Sequence, residues 1–208
     1  CDATGGDYHD YLLAEDAVDL VVGDVSGHGL GAAMMMSTAR ASLRALHGAG
    51  RGAGPGVLLG QLNALLEQDM AEDTFMTLAL CRLRADGTVR FASAGHEPPR
   101  IYRRVGRRFD RLDSTGMMLG VLDDEEYAEV AVTPLARGDI MVLCTDGLFE
   151  AADDDGREWG QEALDDVIRR QARRGAEAVC RGLADGVAAH LGEARREDDM
   201  TVVVAERL

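Results

Sequence analysis

The segment Gly6–Gly29, GDYHDYLLAEDAVDLVVGDVSGHG, places two short apolar runs on either side of an acidic turn and reads as a β-hairpin. Paired around Glu15 and Asp16, position i faces position 31 − i, so Asp7 stands across from Asp24. Directly opposed side chains in an antiparallel ladder lie about 4.5–5.5 Å apart at Cβ, and two carboxylates at that spacing repel. The outer end of this hairpin therefore calls for positive charge.

Other aspartates occupy the same kind of position. Asp146 follows the strand-like run IMVLCT, and Asp198 and Asp199 precede TVVVAERL. An apolar strand that ends in a carboxylate is a common way to hold a polar group on a rigid frame. Each of these aspartates alone reads as a solvated strand end or an Asp-Gly turn. Together, meeting at one rim, they form a cluster that a divalent cation would neutralise, and all-oxygen ligation suits Mg²⁺ or Mn²⁺ better than zinc. Neighbouring residues of an extended strand face opposite sides, so Asp198 and Asp199 do not share one role.

Beyond the hairpin, Leu30–His47 and Val57–Met70 have helical periodicity, separated by the glycine-rich break GAGRGAGPG at 48–56, a candidate mobile loop. Strand patterns follow at 75–85 and 88–95 around Asp86-Gly87, at 100–104 and 107–113 around Val105-Gly106, then at 126–132 and 137–145. Helices are expected at Gln161–Arg173 and Ala176–His190, and a strand closes the chain. Strand runs this closely spaced exclude repeated βαβ units and give an α+β protein, read as one domain over residues 1–208. Cys1 stands where a start would carry Met, so the chain reads as a domain excised from a longer protein.

The 208 residues carry a net charge of −15, which argues against nucleic acid as a partner. No apolar stretch has the length of a membrane span. The four cysteines, Cys1, Cys81, Cys144 and Cys180, show no CxxC spacing; Cys81 and Cys144 fall in strand-like runs as core residues, consistent with a cytoplasmic protein. Met34-Met35-Met36 reads as core filler, Trp159 as a packing anchor and His96 as a structural loop residue. Asp123–Glu126 and Asp153–Asp155 read as solvated loops, and Arg103, Arg104, Arg107 and Arg108 as a solvated basic hairpin tip or a docking point for an acidic partner.

Five motifs in this order, GGDYHDYL, GDVSGHG, SAGHEPP, TDGLFEA and DDMTVVV, resemble the type 2C (PPM) metal-dependent serine/threonine phosphatases, specifically the bacterial SpoIIE/RsbU branch. The resemblance runs from Gly5 to the C-terminus. It implies a β-sandwich of two antiparallel sheets flanked by helices, with two Mn²⁺ or Mg²⁺ ions. Carried over by position, Asp24 would bridge both ions, with Asp7 and the Val25 carbonyl on one and Asp146 and Asp198 on the other. Asp24 and Asp146 would be the residues on which catalysis depends. The substrate implied is a phosphoserine or phosphothreonine protein, a STAS-type anti-anti-sigma factor, acted on by a metal-activated water. An upstream sensor or receiver domain would complete the protein, and a homodimer is compatible with it.

The sequence also departs from the family. Family members usually have a strand before GGD and this sequence begins almost at that motif, so either it is trimmed or the first strand is missing. Glu150 replaces an aspartate that serves a third metal in some relatives, and His28 does not align with the eukaryotic DGHG histidine. A catalytically silent binding module and a hydrolase of small phosphate esters are the alternatives. All four metal aspartates are present, which speaks against the first.

Overall fold

β1 (Tyr8–Leu13) buries alternate residues, as a strand with one covered face must, whereas β2 (Ala17–Val25) is buried almost continuously, as a central strand is. In the computed structural model, which describes residues 5–50, 52–70 and 73–208, the two pair antiparallel from Leu13↔Val18 to Tyr8↔Gly23. Every pair sums to 31, the register expected from the sequence. Cys1 lies outside the described residues.

The chain divides into two compact units, Cys1–Pro98 with Leu112–Pro134, and Pro99–Arg111 with Leu135–Leu208. The first carries a five-stranded antiparallel sheet in which β3 (Met76–Arg84), β4 (Val89–Ala94) and β7 (Val130–Val132) extend β1 and β2 in the order β1-β2-β3-β4-β7. Helices α1 (Leu30–Ala49) and α2 (Pro55–Leu66) cover one face of it. Proline at the first position of α2 costs no hydrogen bond, because that N–H has no helical partner. Leu58, Leu59, Leu62 and Leu66 of α2, with Ala39 and Leu43 of α1, pack on Val21, Leu78, Leu80 and Ala92 of the sheet.

The second unit holds the sheet β6-β5-β8-β9, formed by β5 (Arg100–Arg103), β6 (Arg108–Arg111), β8 (Ile140–Cys144) and β9 (Val202–Glu206). α3 (Gln161–Gln171) and α4 (Ala176–Leu191) share its core through Leu164, Ile168, Val179 and Leu183. Trp159 packs against this cluster, as its anchoring role requires. The fold class expected from the sequence, two antiparallel sheets flanked by helices, is thus observed.

The strand expected at 126–132 forms only over Val130–Val132. Tyr127 turns instead into the first core, 6% exposed, with its ring against Gly116, and Glu125 Oε1 accepts the Met117 N–H at 2.9 Å. α2 ends at Leu66, short of the expected Met70. The glycine-rich break is pinned at its far end: Arg82 Nη1 donates to the Ala53 carbonyl at 2.6 Å, and Gly54 and Gly56 lie directly against Glu129 and Tyr127. Of the three methionines, Met35 and Met36 pack on the core, whereas Met34 is 63% exposed.

Arg103 is no part of a solvated tip. It is 5% exposed, donating to Asp110 at 2.7 Å and Asp139 at 3.0 Å, while Arg104, Arg107 and Arg108 remain outside.

Candidate functional site

In the first unit the ladder ends at Tyr8↔Gly23, and continuing it by one residue sets half-buried Asp7 opposite half-buried Asp24. The Val25 N–H donates to the Gly6 carbonyl at 3.3 Å, which keeps the two chains together past the last strand pair. Gly6 is required there. A Cβ at this position would collide with the Val25 carbonyl oxygen and stand 2.8 Å from Asp24 Oδ1. The absent side chain leaves room for two of the expected ligands, the Val25 oxygen and the Asp24 carboxylate.

The loop that follows is fixed by Ser26, whose N–H donates to the Phe75 carbonyl at 2.9 Å and whose Oγ accepts the Phe75 N–H at 3.0 Å. His28, beyond it, is exposed. Further along β1, the Tyr8 hydroxyl donates to Asp10 Oδ2 at 2.9 Å, and Arg44 grips the same carboxylate at 2.7 and 2.5 Å. Burial and the Asp10 charge push the Tyr8 phenol far above its usual range, so it stays a neutral donor.

In the second unit, β8 and β9 pair as far as Cys144↔Val202, and the chain then turns through a single 3₁₀ turn, Asp146–Leu148. Asp146 is exposed and its Oδ1 accepts the Gly147 N–H at 2.9 Å. Asp198 is exposed and its Oδ1 accepts the Asp199 N–H at 2.8 Å. Gly147 joins the two: a Cβ on it would collide with the Asp199 carbonyl and meet Asp198 Cβ at 3.3 Å. The turn carrying Asp146 is thus pressed against the segment carrying Asp198.

Each unit therefore brings together one pair of the expected carboxylates. Among the described residues, no three His, Cys, Asp or Glu side chains gather into one metal-holding group. What each unit offers is an oxygen-only set: Asp7, Asp24 and the Val25 carbonyl in the first, Asp146 and Asp198 in the second. That chemistry fits a hard divalent cation. Glu150 is exposed at the end of the Asp146 turn, its N–H donating to the Asp146 carbonyl at 3.0 Å.

Three other sequence-selected groups are buried. His96 is 4% exposed, with Nδ1 2.8 Å from Thr77 Oγ1. Cys81 and Cys144 are buried, and burial pushes the Cys81 thiol far up, so it is no nucleophile. The residues that sequence reasoning did not single out are the two close-approach glycines, Gly6 and Gly147. Their signal was membership of the motifs GGDYHDYL and TDGLFEA.

A family model described as Stage II sporulation protein E (SpoIIE) matches residues 14–208. The chain belongs to the SpoIIE family. It is 28% identical over 203 residues to the phosphoserine phosphatase RsbU of Bacillus subtilis (strain 168), covering 97% of this chain and 59% of RsbU. The chain thus spans about three-fifths of that relative.

Among solved structures, the SiaA PP2C domain of Pseudomonas aeruginosa superposes with a TM-score of 0.85 at 26% identity, covering 99% of this chain and 82% of that one. The RsbU and RsbW domains of Rv1364c from Mycobacterium tuberculosis give 0.79 at 28% identity, covering 98% and 55%. The PP2C fold of this SpoIIE-family chain is established by these likenesses.

Proposed function

We propose that this SpoIIE-family domain is a metal-dependent protein serine/threonine phosphatase using two Mn²⁺ or Mg²⁺ ions. The observation that carries the proposal is the pairing of aspartates at two strand ends, each pair kept close by a glycine that admits no side chain. Asp7, Asp24 and the Val25 carbonyl are the ligands from the first unit, Asp146 and Asp198 those from the second. When bound, such ions supply Lewis-acid activation of water and neutralise charge on the phosphoryl oxygens.

The chain's own contribution is positioning. Continuing the β1–β2 ladder by one residue sets Asp7 opposite Asp24, and the close approach of Gly147 to Asp198 and Asp199 supports a pairing of Asp146 with Asp198. Direct attack by water needs no phosphoenzyme, in keeping with buried Cys81 and Cys144. Similarity to RsbU supports a phosphoserine protein as substrate, and a STAS-type anti-anti-sigma factor is the specific one proposed.

The test is hydrolysis of a phosphoserine peptide and of a phosphorylated STAS protein, with and without Mn²⁺. Asp24→Ala and Asp146→Ala should each lose more than about 10³-fold in kcat/KM while keeping the native circular dichroism. Undiminished turnover in excess chelator, or full activity in either variant, would overturn the assignment. Turnover of p-nitrophenyl phosphate alone, with neither phosphoprotein cleaved, would mark a small-ester hydrolase instead.

A further inference from the structure

Thr145 precedes the Asp146 turn at the N-cap position, where a threonine ordinarily turns its hydroxyl onto an N–H of the turn it opens. Here it makes no such bond. Its Oγ1 accepts the Thr201 N–H at 3.0 Å, while its own N–H donates to the Thr201 carbonyl at 3.1 Å. The reason lies in the backbone. In an antiparallel pair, the Thr201 N–H would be taken by the Thr145 carbonyl. That carbonyl has left the ladder to accept the Leu148 N–H of the 3₁₀ turn at 3.3 Å. The hydroxyl stands in for it.

The substitution occurs where it matters for the carboxylates. Asp146 is the next residue in one chain segment, and Asp198 lies three residues before Thr201 in the other. Thr145 is 1% exposed, so its hydroxyl and the Thr201 N–H meet where water does not readily replace either partner. Gly147 presses the same two segments together from the turn side.

We infer that Thr145 is a positioning residue: its side-chain oxygen extends the β8–β9 ladder by one bond and thereby sets the separation of Asp146 and Asp198. The inference rests on the proposed metal-dependent function, because that separation matters only if both carboxylates serve metal. In this inference the hydroxyl acts through the two aspartates, by way of its bond to the Thr201 N–H.

The experiment compares Thr145→Val, which keeps the shape and removes the acceptor, with Thr145→Ser, which keeps it. Two quantities are measured: Mn²⁺ affinity by titration calorimetry, and hydrogen exchange of the Thr201 amide by NMR in metal-free protein. Thr145→Val should weaken Mn²⁺ binding by about 10-fold and should speed exchange at Thr201. That is the low end of the cost of losing an outer partner, because the bond lost is to the Thr201 N–H rather than to a proposed ligand. Thr145→Ser should restore both.

Equal Mn²⁺ affinity in Thr145→Val and the parent protein, even with a lowered melting temperature, would reduce Thr145 to a structural role and overturn the inference. So would a Thr145→Ser protein as impaired as Thr145→Val. If the parent protein binds no Mn²⁺ and Asp146→Ala changes nothing, the phosphatase assignment falls instead. The Thr201 amide would still report whether the clamp exists.

Discussion

In the first unit, Asp7 and Asp24 continue a ladder that is unbroken from Leu13↔Val18 to Tyr8↔Gly23; in the second, Asp146 and Asp198 lie beyond the last paired residues, Cys144 and Val202. One pair is placed by strand register, the other by a turn. Register is quantised: a slip of one residue would send every side chain to the opposite face, so the first pair is specified by the whole hydrophobic pattern of the hairpin. A turn has no such protection. It needs local devices, and the second unit has two, the Gly147 contact and the Thr145 hydroxyl.

The register of the first unit has a buried ionic lock as well. Asp19 of β2, fully buried, receives Arg82 of β3 through Nε and Nη2, both at 2.7 Å, with His47 at 3.4 Å. Removing Asp19 strands the Arg82 guanidinium, whose side chain is only 9% exposed. Breaking a buried pair from one side typically costs about 3–5 kcal/mol, whereas replacing both partners with apolar groups is often close to neutral. Asp19→Ala should therefore lower the urea midpoint sharply, and Asp19→Leu with Arg82→Met should recover most of the loss. If Asp19→Ala is as stable as the parent, the first sheet does not depend on this β2–β3 lock, and the contrast with the second unit is weaker than drawn.

The two close-approach glycines test the comparison from the other side. Gly6→Ala drives a methyl into the Val25 carbonyl and Asp24, and Gly147→Ala drives one into the Asp199 carbonyl. Overpacking of this kind costs about 1–3 kcal/mol. A displacement of about 1 Å at a ligand can cost about 10²-fold in rate. Both variants should lose activity on the phosphoserine peptide. Gly147→Ala should keep the larger share of its stability, since a turn yields where a ladder cannot. Comparable melting temperatures with unequal activity would place the rigidity in the wrong unit.

Much of this was legible in sequence because it depends on local pattern. The sum of 31 for Asp7 and Asp24 follows from turn position and alternation alone, and Tyr8↔Gly23 obeys it. The helices follow from apolar periodicity. Arg103 was misjudged because its neighbours at 104, 107 and 108 are exposed, and the partner that buries it, Asp139, is 36 residues away. Asp19 and Arg82, 63 residues apart, are invisible for the same reason. The strand expected at 126–132 failed because Tyr127 found a place in the core that its alternation did not announce. Thr145 was passed over because a threonine before Asp-Gly reads as an ordinary cap.

The smallest expected effect concerns acid, and it separates the supporting charges from the proposed ligands. Burial alone would raise the Asp10 carboxyl, but hydrogen bonds from Arg44, the Tyr8 hydroxyl and the Tyr11 N–H outweigh it and hold the group below the usual carboxylate range. A group whose pKa is depressed on folding contributes stability that is present above its unfolded value, about 3.9, and lost as the pH falls through the folded value. Stability measured by urea should therefore be flat in this contribution above about pH 5 and decline below pH 4. Arg44 is 47% exposed, so solvent screens the pair and the contribution is modest. Asp10→Asn should shallow the acid limb without moving the neutral-pH dependence of phosphopeptide hydrolysis. If instead it shifts that dependence, the charge of Asp10 reaches the proposed site, and the hairpin holds its proposed ligands by charge as well as by register.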